Sequence, residues 1–522
     1  MRAMNMKNTI SKTQMLLGLT LAVMMLFTAS AYAAAPGITG PTFNLTAQPA
    51  YLTQPDGQMI YSWGYGCRVA PTGFAPGMPN QTCSTMQVPG PTLIVTEGQT
   101  VTVNLANGLP ASAGNTSILF PGFNVTTSGG VAGLMTQEAA PGGSVTYTFT
   151  ATSPGTRSYY SGTQGDLQVE MGLYGAIIVL PSSVPSGCTA VGSLPAHYLA
   201  ETDFRLAASA YDHAKSCYDR EYLFQFSEMD PRIHSQALAQ VTALNSCTAG
   251  AAGCSLNVPT EPYHPAYFMI NGRSMPDDMD PNYATEYPHQ PYNGNPHMHP
   301  GEMVLLRIIG QGRWQHPFHE HGNHVRILGR DGNLILSATD VNSLAGPLLF
   351  TTTTTPGLAM DGIFYWTGKG LNWDAYGHNT DPAKAGHATC TPDANGYYTS
   401  APTALNYYEW CQDHNKPLQV TPFGDVASGG PTTLPDPNLF TNGPWYGGSP
   451  YLGPDATVRA VGPTGTTPPS GTIANSPTGE AGFAFMWHSH NEREITTNNA
   501  FPGGMLMMML VDSREFQIDE SN

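Results

Sequence analysis

The first third of the chain contains no histidine, since all 16 histidines lie at or after His197. Charged residues are also scarce, at 11% of the 522 residues, and the formal net charge is −17. An acidic balance of this kind argues against nucleic acid or an anionic membrane surface as a partner. The lack of histidine means that this third cannot supply an imidazole ligand or an imidazole base to any site.

The Cys-x-x-Cys spacing of thiolate metal sites and redox motifs is absent from the chain. The eight cysteines are an even number and fall into close sets, which favours disulfides, although about 105 connectivities are formally open. We predict that neighbours in the sequence pair, giving Cys67–Cys83, Cys188–Cys217, Cys247–Cys254 and Cys390–Cys411.

Long hydrophobic runs are rare. The one run, residues 15–27, follows Arg2, Lys7 and Lys12 and precedes Ala31-Tyr32-Ala33. This order predicts a cleaved signal peptide, residues 1–33, and an exported protein: periplasmic, extracellular or at the cell surface. A bilayer span needs about 20 apolar residues, so an uncleaved anchor is the weaker alternative and the mature chain is expected to have no membrane span.

Glycine and proline, by contrast, are abundant, with 57 and 45 residues. This composition is typical of many strands joined by turns, with little helix. The chain also resembles itself: VPGPTLIV at 88–95 with EGQTVTVNL at 97–105 is repeated as PGEMVLLRII at 300–309. Each copy is followed by a short segment that ends in glycine, LFPG at 119–122 and HEHG at 319–322.

Two further landmarks follow in the same order. PGG at 141–143 and PG at 356–357 each precede a strand pattern, and YSG at 160–162 and HSH at 488–490 each precede an apolar strand. Matched landmarks in one order predict two β-sandwich domains. We place the domains at 36–182 and 190–515, the second enlarged by a loop-rich insertion at 368–480 that is rich in Gly, Pro and Thr.

Four segments resemble the multicopper oxidase family, in particular its two-domain, laccase-like members. VPGP at 88–91 and GLYG at 172–175 are similar to its first domain, HPFHEHG at 316–322 to its third copper motif, and WHSH at 487–490 with PGGM at 502–505 to its fourth. The resemblance implies an all-β fold of two cupredoxin-like Greek-key β-sandwich domains. It also implies copper as cofactor and a homotrimer as a possible assembly.

The resemblance further assigns metal roles by position. His316 would be a ligand of the family's mononuclear blue copper. The ligands of the trinuclear cluster, which reduces dioxygen, would be His319, His321, His488 and His490.

This chain departs from that pattern at most of the remaining ligand positions. LFPG at 119–122 and YSG at 160–162 stand where the first two histidine motifs belong, Ser489 replaces the blue-site cysteine, and Glu494 and Asn499 replace its other ligands. A serine hydroxyl stays protonated and is a hard donor, whereas blue copper depends on an ionised thiolate. A trimer would not repair the cluster, because every subunit lacks the same residues. The chain is therefore expected to be a degenerate member without laccase-type oxygen reduction.

The surviving histidines nevertheless form a pattern of their own. Residues two apart on a strand point to the same face, so His319 and His321 project together, as do His488 and His490, while Ser489 points away. Because the resemblance makes the two strands neighbours, we predict one mononuclear site, most readily for copper and possible for another transition metal. His316 and, as an additional candidate, Glu494 would lie nearby. The alternative is that the histidines are relics, hydrogen-bonded inside an interface.

Other polar residues near these motifs have less specific interpretations. Glu320 and Glu492 are expected to be solvated charges or partners of Arg313 and Arg493. His289 and the HMH segment at 297–299 are interpreted as a loop feature just before the strand at Gly301.

Three functions remain open from the sequence. The favoured one is an exported metal-binding, multicopper-oxidase-like protein. The alternatives are a divergent copper-dependent oxidoreductase acting on a metal or small molecule, and a non-enzymatic cell-surface or matrix scaffold whose insertion is the contact surface. The sequence leaves open whether the protein is an enzyme.

Overall fold

The computed structural model describes residues 35–78, 80–193, 201–370, 388–389, 391–412, 448–452, 473–474, 482–512, 514 and 517–518. The predicted signal peptide and most of the predicted insertion lie outside these residues. Strands dominate the described chain and helices are few and short, which confirms the predicted all-β class.

The N-terminal part forms one β-sandwich. Its strands and its single turn of helix are β1 (Gly37–Thr39), β2 (Thr42–Thr53), β3 (Met59–Cys67), β4 (Phe74–Ala75), β5 (Gly90–Thr96), β6 (Thr100–Asn107), β7 (Thr126–Gly129), β8 (Val131–Ala132), β9 (Gln137–Glu138), β10 (Ser144–Thr150), β11 (Gly155–Tyr160), α1 (Gly165–Gln168) and β12 (Tyr174–Leu180). They form two five-stranded sheets, in the orders β11-β12-β5-β1-β4 and β3-β2-β6-β10-β7, and a small β8-β9 ribbon.

Buried residues alternate strictly with more exposed ones along two strands of this sandwich. In β6 and β10 every second side chain, such as Val103, Tyr147 and Phe149, is buried, while the residues between them are partly or fully exposed. Such a period of two places one apolar face of each sheet against the other. The buried faces meet in one core around Trp63 and Tyr65.

The C-terminal part forms a second β-sandwich. Its elements are β13 (Arg220–Met229), α2 (Pro231–Ala243), β14 (Tyr267–Ile270), β15 (His297–Met298), β16 (Met303–Gly310), β17 (His316–Glu320), β18 (Val325–Arg330), β19 (Asn333–Leu334), β20 (Leu348–Leu349), β21 (Thr351–Thr354), β22 (Ala359–Tyr365), β23 (Gly448–Leu452), β24 (Ile473–Ala474), β25 (Gly482–Ser489) and β26 (Leu506–Asp512). One seven-stranded sheet follows β14-β13-β16-β22-β18-β19 with β20 on β18, and the other follows β15-β26-β25-β17-β21 with β23 and β24 beyond β25.

Strand pairing in the two sandwiches is equivalent. β6 pairs antiparallel with β10 as β16 does with β22, and β11 pairs antiparallel with β12 as β25 does with β26. These are the strands that the sequence repeat matches. The predicted architecture of two cupredoxin-like Greek-key β-sandwiches is confirmed, while the domain limits of 36–182 and 190–515 stay predictions.

Helix α2 joins the two sandwiches. The side chain of Asp230 caps its first turn by accepting a hydrogen bond from the Arg232 amide, and proline occupies the first helical position. Ile233 and Ala237 on its buried face belong to the core of the N-terminal sandwich. His234 bonds the carbonyl oxygen of Tyr61 at 2.6 Å. The helix thus follows a strand of one sandwich and packs on the other.

A buried ionic cluster also links the sandwiches. Arg307 of β16 lies between Glu221 at 2.8 Å and Asp361 at 3.5 Å, all fully buried. Asp361 accepts hydrogen bonds from the backbone amide and the hydroxyl of Thr156 on β11, at 3.0 and 2.6 Å. A charge buried this deeply is stable only when it is paired, so this cluster fixes how β11 sits on β22.

Three of the predicted disulfides are present: Cys67–Cys83, Cys188–Cys217 and Cys247–Cys254. The fourth predicted pair involves Cys390, which lies outside the described residues. No helix in the described part of the chain has the length and apolar character that crossing a membrane requires.

Candidate functional site

The two histidine-bearing strands are direct neighbours. β17 pairs antiparallel with β25, with His319 opposite His488 and Phe318 opposite Ser489. The backbone amide of His490 extends this pairing by donating to the carbonyl of Pro317 at 2.8 Å. The two strands are therefore adjacent in one sheet, as the resemblance implied.

Alternation along both strands separates two environments. Phe318 and Trp487 point into the core of the C-terminal sandwich. His319 and His488 point to the opposite face, where they meet His321 and His490. We call His319, His321, His488 and His490 the four-histidine set.

Their rings lie close together. The ring centroid of His319 lies 4.9 Å from that of His321, 5.6 Å from that of His488 and 4.8 Å from that of His490. The centroids of His321 and His488 are 5.2 Å apart. His319, His321 and His488 are buried and His490 is exposed, so the set lies at the edge of the protein with one ring facing solvent.

One pair is already placed as metal ligands would be. The Nε2 atoms of His321 and His488 are 3.3 Å apart. Two nitrogens about 2.0 Å from a tetrahedral ion are separated by about 3.3 Å. Nδ1 of His488 lies 2.7 Å from the carbonyl oxygen of Ser489, which can only accept, so Nδ1 carries the proton and Nε2 keeps its lone pair.

Two members of the set, His319 and His488, are neutral near pH 7. The pKa of His319 is lowered from 6.5 to about 4, chiefly by burial and then by the charges that His321, His490 and His488 would carry. Burial likewise lowers the pKa of His488. A neutral imidazole is the form that binds a metal ion, because a proton and a metal compete for one lone pair.

The donor atoms do not all converge as the side chains stand. Within the described ranges, no group of three or more His, Cys, Asp or Glu side chains is already arranged around a common point for a metal ion. Nδ1 of His319 is instead 2.7 Å from the hydroxyl of Thr351. A four-nitrogen site therefore requires side chains of the set to rearrange.

His316 does not belong to this set. It is fully buried on the core side of β17, with Nε2 2.8 Å from a carboxylate oxygen of Glu228 and Nδ1 2.9 Å from one of Glu494. Burial by itself lowers the pKa of His316. Hydrogen bonds to the carboxylates of Glu228 and Glu494 outweigh this effect and raise its pKa to about 9. Both ring nitrogens donate, and neither offers a lone pair to a metal. The expectation that His316 is a metal ligand does not fit this arrangement.

Ser489, at the position where the resemblance implies a cysteine, belongs to the same network. The hydroxyl of Ser489 donates to Glu494 at 2.5 Å, and the side-chain amide of Asn491 donates to the other oxygen of that carboxylate at 2.9 Å. Glu494 is thus committed to His316, Ser489 and Asn491, and it does not face the four-histidine set as an additional ligand. We call Glu228, His316, Glu494 and Ser489 the buried charge chain.

Glu228 is the member that sequence reasoning missed. It lies on β13, which is buried at every position, and its other oxygen accepts hydrogen bonds from the backbone amides of Arg313 and Trp314 at 2.7 and 2.9 Å. The signal available in the sequence was a glutamate shortly after the aromatic segment YLFQF at 222–226, since a polar group in a strand that packs such residues needs a buried partner. Nothing in the spacing identifies that partner as His316.

In the N-terminal sandwich, the positions equivalent to His319 and His488 hold residues that are not histidine. Leu119 and Tyr160 form an antiparallel bridge, at the place that His319 and His488 occupy in the C-terminal sandwich. Nearby, Ser161 donates to the amide oxygen of Gln168 at 2.7 Å. Hydroxyl and amide groups of this kind are weak ligands for copper compared with imidazole and thiolate.

Two lesser expectations are wrong. Glu320 is not a solvated charge: it is fully buried, accepts a hydrogen bond from Thr352 at 2.9 Å, and burial raises its pKa well above 4.5. The HMH segment is not a loop feature, because His297 and Met298 form β15 alongside β26. Nδ1 of His297 contacts Asp512 at 2.7 Å.

Comparisons with known proteins point to one family. A family model described as multicopper oxidase matches residues 76–184. "Multicopper oxidase MCE" of Talaromyces pinophilus is 36% identical over 111 residues, 20% of this chain and 18% of that protein. "Laccase abr2" of Aspergillus fumigatus is 36% identical over 98 residues, 18% of this chain and 16% of that protein. The chain therefore spans less than a fifth of the length of these curated relatives.

Solved structures of the same class cover more of the chain at lower identity. "Multicopper Oxidase mgLAC" is 15% identical, covers 90% of this chain and 86% of its own, and has a TM-score of 0.43. A blue copper oxidase from Nitrosomonas europaea is 14% identical, with coverage of 90% and 85% and a TM-score of 0.43. The segment that carries the family match contains no histidine.

Proposed function

We propose that this chain, in which residues 76–184 match a family model described as multicopper oxidase, binds a single transition-metal ion, copper most readily, at the four-histidine set. The observation that supports this most directly is the 3.3 Å separation of the Nε2 atoms of His321 and His488. This contact is a hydrogen bond that Nε2 of His321 donates to Nε2 of His488. A metal ion would replace that proton and bind both nitrogens, and His319 and His490 stand within reach as further ligands. Imidazole nitrogen is the ligand type that copper, zinc and nickel share.

Laccase-type oxygen reduction is absent in this proposal. Reduction of dioxygen in the family depends on a blue copper and on histidines from both sandwiches, as the resemblance implies. Here the blue-site position holds the buried charge chain, and Leu119 and Tyr160 stand at the N-terminal ligand positions. The protein is proposed to be exported, which suits its disulfides, because disulfides persist in oxidising compartments.

The test is metal analysis of purified, desalted protein followed by copper titration. We expect about one tightly bound ion per chain and no intense blue absorption band, since a mononuclear imidazole site lacks the thiolate of blue copper. His321→Ala and His488→Ala should each weaken copper binding by about tenfold or more, because each removes a ligand of the closest pair.

The matched control is His264→Ala, which removes an exposed histidine outside the set and should leave the titration unchanged. Unaltered copper binding in His321→Ala and His488→Ala would contradict the proposed site. Oxygen consumption by copper-loaded protein with a phenol as electron donor would contradict the proposed loss of oxygen reduction. Absence of any metal, even after loading with copper or zinc, would make the scaffold function the better proposal.

A further inference from the structure

A cavity lined by residues other than the four-histidine set lies on the outer face of the sheet that contains β16, β22 and β18. Its volume is about 680 Å³, within the roughly 300–1,000 Å³ that small-molecule sites occupy. Strand alternation forms its floor: Ile327 and Phe364 point into the core, whereas their neighbours Leu328 and Ile363 point into the cavity. Regular strands therefore form the floor of the cavity, and residues of connecting segments, such as Tyr408, complete its walls.

The floor and walls are apolar. Leu328 and Ile363 pack with Leu344 in one cluster beneath the opening, and the rings of Tyr365 and Tyr408 form another wall. Leu348 at the rim is 51% exposed. An apolar ligand bound between this leucine and the apolar floor would bury the exposed apolar surface of both, which favours binding.

The charge of the lining is opposite to that of the protein. Lys215 and Arg326 line the cavity, and none of its described lining residues is an Asp or Glu. The chain as a whole has 37 acidic residues against 20 Lys and Arg. Asp340 interacts with Lys215 and offsets part of its charge, but the lining itself holds two cations and no acid, so it attracts an anion.

The remaining polar groups add hydrogen bonds without charge. Burial lowers the pKa of His324, so this side chain is neutral near pH 7. Its ring stacks on Phe350 with centroids 3.6 Å apart. Nη1 of Arg326 donates to the carbonyl of Gly346 at 2.8 Å, which holds the guanidinium at the cavity wall. A guanidinium that donates to one carbonyl acceptor keeps its other N–H groups available for a carboxylate.

We propose that this cavity binds a small organic anion with an apolar body, such as an aromatic or alkyl carboxylate. The body packs against Leu328, Ile363 and Tyr365, and the carboxylate accepts hydrogen bonds from Arg326 and Lys215. Binding here is independent of the metal site proposed above, because none of these residues belongs to the four-histidine set.

The test is calorimetric titration of the full chain with 2-naphthoate and, in parallel, with the neutral 2-naphthalenemethanol. The two share an apolar body and differ in charge. We expect the carboxylate to bind roughly tenfold or more tightly than the alcohol, since hydrogen bonds to a charged group exceed neutral ones by that order. Arg326→Gln and Lys215→Gln should each weaken 2-naphthoate binding and leave the weak alcohol binding unchanged.

Arg330→Gln is the matched control, because Arg330 ends the same strand, is exposed and does not line the cavity. The thermal unfolding transition of each variant shows that it is folded. Equal affinity for the acid and the alcohol, an equal loss in Arg330→Gln and Arg326→Gln, or no binding of either compound would each overturn the proposal. Copper content does not enter any of these outcomes, so failure here is distinguishable from failure of the metal site.

Discussion

At the scale of single residues, His316 changes from an expected ligand to the cation of an ionic core. Its two carboxylate partners neutralise it from both sides, and all three groups are buried. The sequence could predict that residues at 316 and 319 point to opposite faces of one strand. It could not predict Glu228, because this contact joins strands 88 residues apart and has no motif. Burial and the charges of neighbouring side chains therefore decide which histidine is protonated.

The charge of His316 predicts a pH dependence of stability. Its pKa in the folded protein is raised from 6.5 to about 9, so the folded state binds this proton more tightly than the unfolded state. The stabilisation is fully present below pH 6.5 and is lost as the pH rises through about 9, by roughly 3 kcal/mol at most. Urea unfolding at pH 6 and pH 9.5 measures this loss.

His316→Gln should lower the free energy of unfolding at pH 6 by roughly 3–5 kcal/mol, since it leaves two buried carboxylates without their cation. It should also reduce the loss of unfolding free energy between pH 6 and pH 9.5. His264→Gln, at an exposed histidine, serves as the control. We expect its unfolding free energy to depend on pH as that of the parent protein does. An alkaline slope in His316→Gln equal to that of the parent would show that another group causes it.

At the scale of elements, the strands were predictable and helix α2 was not. Alternation in β6 and β10, and the internal repeat that relates β6 to β16, specify strands through local sequence alone. The two-residue strand β15 was missed because so short a segment has no periodicity to read. The partner of helix α2 was equally hidden, since its apolar residues indicate a buried face without saying that the N-terminal sandwich covers it.

Ile233 of α2 tests the link between the sandwiches. Ile233→Ala removes buried methylene groups from the N-terminal core and should cost roughly 2–4 kcal/mol. Amide hydrogen exchange should accelerate in β3, on which the helix packs, as well as in the helix. Gln236→Ala, on the exposed face of the same helix, should change neither. Faster exchange confined to the helix would mean that α2 does not support the N-terminal sandwich.

At the scale of the whole molecule, the two sandwiches share buried polar contacts and should unfold together. Thr156 of the N-terminal sandwich reaches Asp361 and Arg307 of the C-terminal sandwich with its hydroxyl, at 2.6 and 3.1 Å. Thr156→Val keeps the shape but leaves two charged groups short of a hydrogen bond, so it should cost about 1–3 kcal/mol. Differential scanning calorimetry should then resolve the single transition of the parent into two.

Thr150→Val, at an exposed strand position of the same sandwich, is the control and should retain one transition. Two transitions already present in the parent protein would show that the ionic cluster does not couple the halves. The sequence repeat predicted two similar sandwiches, but it carried no information on their contact, because each half of the repeat encodes only its own core.

The buried charge chain also determines what a designer would have to change to install a thiolate copper site here. Glu494 and Glu228 hold an imidazolium at the place where a copper ion would need the His316 lone pair. A cysteine introduced at position 489 would meet a carboxylate and a protonated ring instead of a metal. Installing such a site therefore requires several simultaneous substitutions, because each one alone leaves a buried charge without its partner.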